Sequence, residues 1–193
     1  MIRDLSEDGA VTCRINLADK DLVTSHGTLL NSSRRLLTSV YSQEVAMTAS
    51  HGRHSVSVSG VVVDDQGRVL LTQRADNGQW QAPGGVLELD ETIVDGLRRE
   101  VQEETGLTVE PVTLTGVYKN MARGIVALVF RCRSIGGELT YNDEVTAFRW
   151  VPPADVPNMV SEAFAVRVLD ALQDGAPAVR DHDGTHLVGP RSL

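Results

Sequence analysis

GVLELDETIVDGLRREVQEETGL, residues 85–107, is the stretch on which the reading of this chain turns. Its apolar spacing predicts a helix from about Glu91 to Thr105, with Gly106 as the residue that stops it. Glu100, Glu103 and Glu104 stand at i, i+3 and i+4, which places three carboxylates on one helical face. Val94, Leu97 and Val101 form the neighbouring stripe and would anchor the helix to a sheet, so the acidic face lies at the edge of the packed surface. Like charges at this spacing repel by about 0.2–0.5 kcal/mol per pair. A hard divalent cation reverses the sign, and Mg²⁺ favours sites shared between carboxylates and substrate phosphates. Arg99 is placed to hold one carboxylate, Glu91 to pair with that arginine, and the Gly84-Gly85 bend to let a backbone carbonyl approach.

A bare E-x-x-E-E is most simply a solvated acidic helix face. The surroundings argue otherwise, because residues 85–107 fit G-x5-E-x7-R-E-U-x-E-E-x-G-U without departure, where U is aliphatic. Such a match arises by chance on the order of once in ten million chains. The stretch resembles the Nudix box, and the chain resembles a Nudix hydrolase over about Ser55 to Gln173. The resemblance implies an α/β fold, an α/β/α sandwich around a mixed β-sheet. It implies hydrolysis of a nucleoside diphosphate linked to another moiety, with Mg²⁺ or Mn²⁺. By position, Glu100 and Glu104 are then the main metal ligands, Glu103 assists, and the Gly84 carbonyl is the backbone ligand. Arg99 and Glu91 orient the carboxylates, and a carboxylate takes the proton of the attacking water.

Working outward, the 193 residues have a mean hydropathy of −0.11, 41% hydrophobic and 23% charged residues, a globular composition. The net charge of −8 and pI near 5.1 exclude a general nucleic-acid binder and an anionic-membrane binder. Cys13 and Cys132 are too few and too far apart for a disulfide framework or zinc ribbon. MIRDLSEDGA has no apolar segment of the secretory kind, and the longest apolar run is Ile125–Phe130, so the expectation is a cytoplasmic enzyme. Three segments are expected: an N-terminal extension (1–54) with an amphipathic helix over Asn31–Met47, the hydrolase domain (55–174), and a loose polar tail (175–193). Strands are predicted at 55–63, 68–74, 112–120, 125–133 and 147–151, a short extended piece at 80–82, and a closing helix at 161–173.

Outside the box, Arg74 stands before the substrate loop, as an arginine that reaches phosphate does in similar proteins. Trp80 is expected either to stack on a base or to cover the core. Lys119 and Arg123 flank a loop; they are expected either to be plain surface charge or for one of them to touch phosphate. Glu144 lies six residues before Trp150, the spacing of a metal-linked or basic glutamate in MutT-like proteins; the other reading is a plain loop carboxylate, with Asp143 or Glu162 serving instead. His182 and His186 make a poor zinc site without a third ligand. The proline of many ADP-ribose hydrolases is missing downstream of the box, where Ala122 and Arg123 stand, and Tyr118 comes too early for a dinucleoside polyphosphate hydrolase. A MutT-like (deoxy)nucleoside triphosphate substrate is left. The alternatives are an ADP-ribose or nucleotide-sugar pyrophosphatase and a non-catalytic nucleotide sensor acting through residues 1–54. The partners expected are a small-molecule nucleotide and, for the apolar stripe of the extension, either its own sheet or a second subunit in a homodimer.

Overall fold

A computed structural model describes residues 53–189. The expected helix at 31–47, Cys13 and the start of the linker at 48–54 lie outside the described residues.

The strand β1 (Ser55–Val63) alternates serine and valine, then ends in three valines, a sequence suited to a strand covered on both faces. It runs parallel to β6 (Ile125–Gly137), from Ser55 opposite Ile125 to Val63 opposite Arg133. β2 (Val69–Arg74) follows a turn in which Asp64 Oδ1 accepts the Gln66 and Arg68 N–H groups. β3 (Trp80–Gln81) pairs with β2, and β4 (Gly84–Val86) pairs with β1. Helix α1 (Ile93–Thr105) precedes β5 (Leu107–Asn120), which returns against β6. β7 (Val145–Val151) pairs with β2. A short 3-10 helix (Pro153–Asn158) leads to α2 (Glu162–Ala171), β8 (Ala178–His182) and β9 (Leu187–Val188). The mixed sheet has nine strands in the order β3-β2-β1-β6-β5-β8-β9, with β4 and β7 off that path.

Alternation along β1 divides the core. Val58 and Val62 pack with Leu97 and Val101 of α1, whereas Val61 packs with Tyr118, Val129 and Val168 on the face covered by α2. The architecture is the expected α/β/α sandwich. Among the described residues no helix is long and apolar enough to cross a membrane.

Two strands are longer than the sequence predicts. β5 begins at Leu107, directly after the helix stop, because Leu107 and Val109 are buried in the cluster beneath α1. Pro111 hides this from sequence patterning; it sits at a register shift, where a missing N–H is tolerated.

Over 175–189, the part described, the expected loose tail is instead paired into the sheet. β8 adds in parallel to β5, Gly116 opposite Ala178 through Asn120 opposite His182, and β9 folds back on it. Arg180 donates from Nε and Nη2 to the Asp170 carboxylate at 2.7 and 2.8 Å, and the Tyr118 hydroxyl donates to the same group at 2.8 Å. Composition concealed this strand because backbone pairing and one ion pair hold it, not an apolar stripe. The Arg180 guanidinium, followed by the Tyr118 hydroxyl, holds the Asp170 carboxyl below its usual range. That stabilisation is therefore present above the ordinary aspartate pKa and is lost as pH falls through the lowered one. Asp170→Asn is expected to lower Tm at pH 7 by about 4–8 °C, from roughly 2 kcal/mol of charge-assisted hydrogen bonding. The difference from wild type should shrink below about pH 4; an equal deficit at pH 3 and pH 7 in thermal melts would show that the ion pair is not its cause.

Candidate active site

The site grows from the placement of α1. Thr92 caps its start, accepting the Asp95 N–H, and Gly106, at φ 77°, closes its end with an N–H bond to the Gln102 carbonyl. Leu97 and Val101 are fully buried against β1. This fixes the rotation of the helix, so that Glu100 and Glu104 face the Gly84-Gly85 bend. Gly84 has φ 150° and sits against the Val58 carbonyl, where no side chain fits. Its N–H donates to Glu104 Oε2 at 3.0 Å. A Cβ on Gly85 would run into the Glu100 carboxylate.

Arg99 organises the acidic face. It donates from Nε and Nη2 to Glu91 at 2.9 and 2.7 Å, and from Nη1 to Glu100 at 3.0 Å and Glu103 at 2.9 Å. The Glu88 N–H also binds Glu91, whose carboxyl is held at about 2, chiefly by Arg99. Glu104 stands differently. It is 5% exposed, makes no ion pair among the described residues, and is pushed up to about 7 by burial, against the Gly84 hydrogen bond and with the charges of Glu100 and Glu144 adding to the shift. Burial raises Glu100 too, opposed by Arg99.

The structure brings Glu100 and Glu104 together and draws Glu103 outward onto Arg99; its side chain is 60% exposed. Among the described residues no three acidic, imidazole or thiol groups form a closed cage. Two partly dehydrated carboxylates on an open bend suit a divalent ion that completes its shell with water and substrate phosphate, the habit of Mg²⁺ rather than of a structural zinc.

Glu144 reaches the site through a residue the sequence reading missed. Asn142 Nδ2 donates to the Glu103 and Glu104 carbonyls at 2.7 and 3.1 Å, and its Oδ1 accepts the Glu144 and Val145 N–H groups at 2.8 and 3.0 Å. The Glu144 carbonyl accepts the Ala75 N–H at 2.8 Å. The loop is thus fastened to the end of α1 and to the turn after β2. An asparagine two residues before the glutamate, in Asn142-Asp143-Glu144, is the local signal of such an Asx turn.

Beside the Gly84-Gly85 bend opens a cavity of about 190 Å³. Arg74 lines it, already holding Asp76 through two bonds of 2.9 and 2.7 Å. Arg123 and Asn120 line it as well, and Lys119 does not. Strand alternation puts Lys119 on the face opposite Tyr118 and Asn120, so the expectation placed on Lys119 passes to its neighbours. Trp80 is half-buried against the α2 side of the core, with the Arg149 guanidinium 5.3 Å from its ring centre. It borders a second cavity of about 300 Å³ with Met159, Val160 and Phe164. His182 is fully buried and His186 exposed, and they form no metal pair.

A layered mixed sheet, a glutamate-rich helix against a diglycine bend and a cavity beside it together define a class. The family model for the NUDIX domain matches residues 53–172. A MutT-like protein of Streptomyces ambofaciens is 54% identical over 149 residues, 77% of this chain and 97% of that protein. The human 8-oxo-dGDP phosphatase NUDT18 is 39% identical over 107 residues, 52% of this chain and 33% of that protein. The crystal structure of a MutT NUDIX hydrolase from Burkholderia pseudomallei superposes with a TM-score of 0.55 at 26% identity, over 61% of this chain and 98% of that one. The chain belongs to the Nudix family. It is a hydrolase of pyrophosphate bonds, from a family that acts on small nucleotide substrates with divalent metal ions.

Proposed function

We propose that this enzyme is a Mg²⁺-dependent pyrophosphohydrolase of (deoxy)nucleoside triphosphates. The observation that carries the reading is Glu104, a buried carboxylate that makes no ion pair among the described residues and stands with Glu100 against the Gly84-Gly85 bend, while Arg74, Arg123 and Arg167 line the cavity beside that bend. Glu100, Glu104 and the Gly84 carbonyl would hold the ion, with Glu103 assisting when released from Arg99. Bound there, a divalent ion supplies charge neutralisation at the phosphate oxygens and acidifies the attacking water. Arg99 keeps Glu100 in place through its bonds to Glu91. Arg74 binds phosphate, Glu144 receives the water proton, and Trp80 forms one wall of the slot for the base. The 54% identical MutT-like relative supports this substrate class.

The experiment is a panel of nucleotides with Mg²⁺ or Mn²⁺, read as phosphate or pyrophosphate release. Turnover of triphosphates with pyrophosphate release supports the reading. Preferred cleavage of ADP-ribose or a nucleotide sugar replaces it with the alternative, and absence of all turnover points to a nucleotide sensor.

Gly85→Ala tests the carboxylate geometry. The added methyl displaces the Glu100 carboxylate, the free end of a flexible side chain, and leaves the backbone in place. Activity and Mn²⁺ affinity are expected to fall about 10–100-fold, the usual cost of disturbing the support of a ligand, with an unchanged circular dichroism spectrum. Wild-type Mn²⁺ binding by the variant would remove Glu100 from the ligand set.

A further inference from the structure

Arg167, on α2, is a cation without a counter-ion. No carboxylate lies within ion-pair distance of it among the described residues, whereas Arg74, Arg99 and Arg180 each sit on one. The Phe164 ring lies 4.6 Å from the guanidinium and the Tyr118 ring 5.4 Å. Among the described residues its one polar contact runs from Nη2 to His182 Nε2 at 2.7 Å, and its Nε is buried with no partner.

His182 is a weak anchor. Its Nδ1 already faces the Gly184 N–H at 3.0 Å. An arginine only donates, and a neutral imidazole has a lone pair on one nitrogen alone. One of the two contacts is therefore lost in either tautomer. The guanidinium is stacked and oriented, yet most of its donors have no acceptor among the described residues.

Arg167 opens onto the same cavity as Gly84 and Gly85, with Arg74 and Arg123 on other walls. No aspartate or glutamate lines this cavity. Phe164 borders both this cavity and the slot formed by Trp80, Met159 and Val160. Three guanidinium groups, those of Arg74, Arg123 and Arg167, line the first cavity, which suits it to phosphate. Dehydrated cations demand an anion, and the planar arginine fork matches phosphate oxygens two at a time.

We infer that Arg167 binds the terminal phosphoryl group of the substrate and makes the enzyme select nucleoside triphosphates over diphosphates. The inference rests on the nucleotide reading above. The test compares kcat/KM for dGTP and dGDP in wild type, Arg167→Met and Arg167→Lys, with calorimetric binding of inorganic tripolyphosphate and pyrophosphate. Arg167→Met is expected to reduce the dGTP-to-dGDP ratio of kcat/KM at least tenfold, mainly through KM for dGTP, and to weaken tripolyphosphate at least tenfold. Arg167→Lys, which keeps the charge and loses the fork, should reduce the ratio at least threefold and decides the matter if the methionine variant does not fold. A ratio within twofold of wild type, or equal losses on both nucleotides, overturns the inference while triphosphate turnover keeps the proposed function. Conversely, tripolyphosphate binding that depends on Arg167 in an enzyme that cleaves no nucleotide upholds the anion site and overturns the function. Tripolyphosphate binding of equal strength in wild type and both variants removes Arg167 from the site.

Discussion

Glu104→Gln is expected to lower kcat by about 10²–10³-fold and, at the same time, to make the metal-free protein more stable. The amide keeps an oxygen that accepts the Gly84 N–H, so the bend and helix remain. It loses the charge that a divalent ion needs, and several kcal/mol of transition-state stabilisation correspond to that fall in rate. The stability gain follows from the carboxyl being pushed from its ordinary 4.5 to about 7 in the folded chain, first of all by burial. A group raised in this way contributes stability below its unfolded pKa and loses it as pH rises through the folded value. The metal-free wild type thus gives up on the order of 3 kcal/mol between about pH 4.5 and pH 7 that the glutamine variant keeps. In EDTA at pH 8 the variant should melt several degrees higher, and at pH 4 the two should coincide. Added Mg²⁺ should stabilise wild type and leave the variant behind. Full activity in the variant, or of wild type in chelator, would take Glu104 out of the reaction.

Glu144→Gln should depress kcat by about 10²–10⁴-fold, the usual cost of losing a general base, with little change in Mg²⁺ affinity. The exposed Glu144 side chain lies close enough to Glu100 and Glu104 for its charge to raise both carboxyl pKa values. Its loop is held by Asn142 against the end of α1. Asn142→Ala, which frees the loop and leaves the carboxylate, should give a smaller loss of the same kind. A decline below threefold for Glu144→Gln transfers the role to Glu100 or another carboxylate.

The helix, its stop at Gly106, the Arg99–Glu91 pairing and most strands were legible from spacing alone, because residues near in sequence set them. The cationic cavity was legible only in part. Arg74 and Arg123 lie beside recognisable turns, but Arg167 looks like any polar residue of an amphipathic helix until the tertiary fold places it between Phe164 and Tyr118. The choice between Lys119 and its neighbours depends on which way an unbroken strand is pleated, and a single residue of register inverts it. The tail strand escaped because its support, Asp170 with Arg180 and Tyr118, joins positions far apart in sequence.

That tail strand also touches a residue of the arginine-lined cavity. The family-model match ends at 172, and it contains the helix and bend that carry the carboxylates. His182, which touches Arg167, lies beyond that boundary on β8. On the inference drawn for Arg167, exchanging residues 175–189 between related enzymes is expected to shift the dGTP-to-dGDP ratio while Glu100, Glu104 and the Gly84-Gly85 bend stay in place.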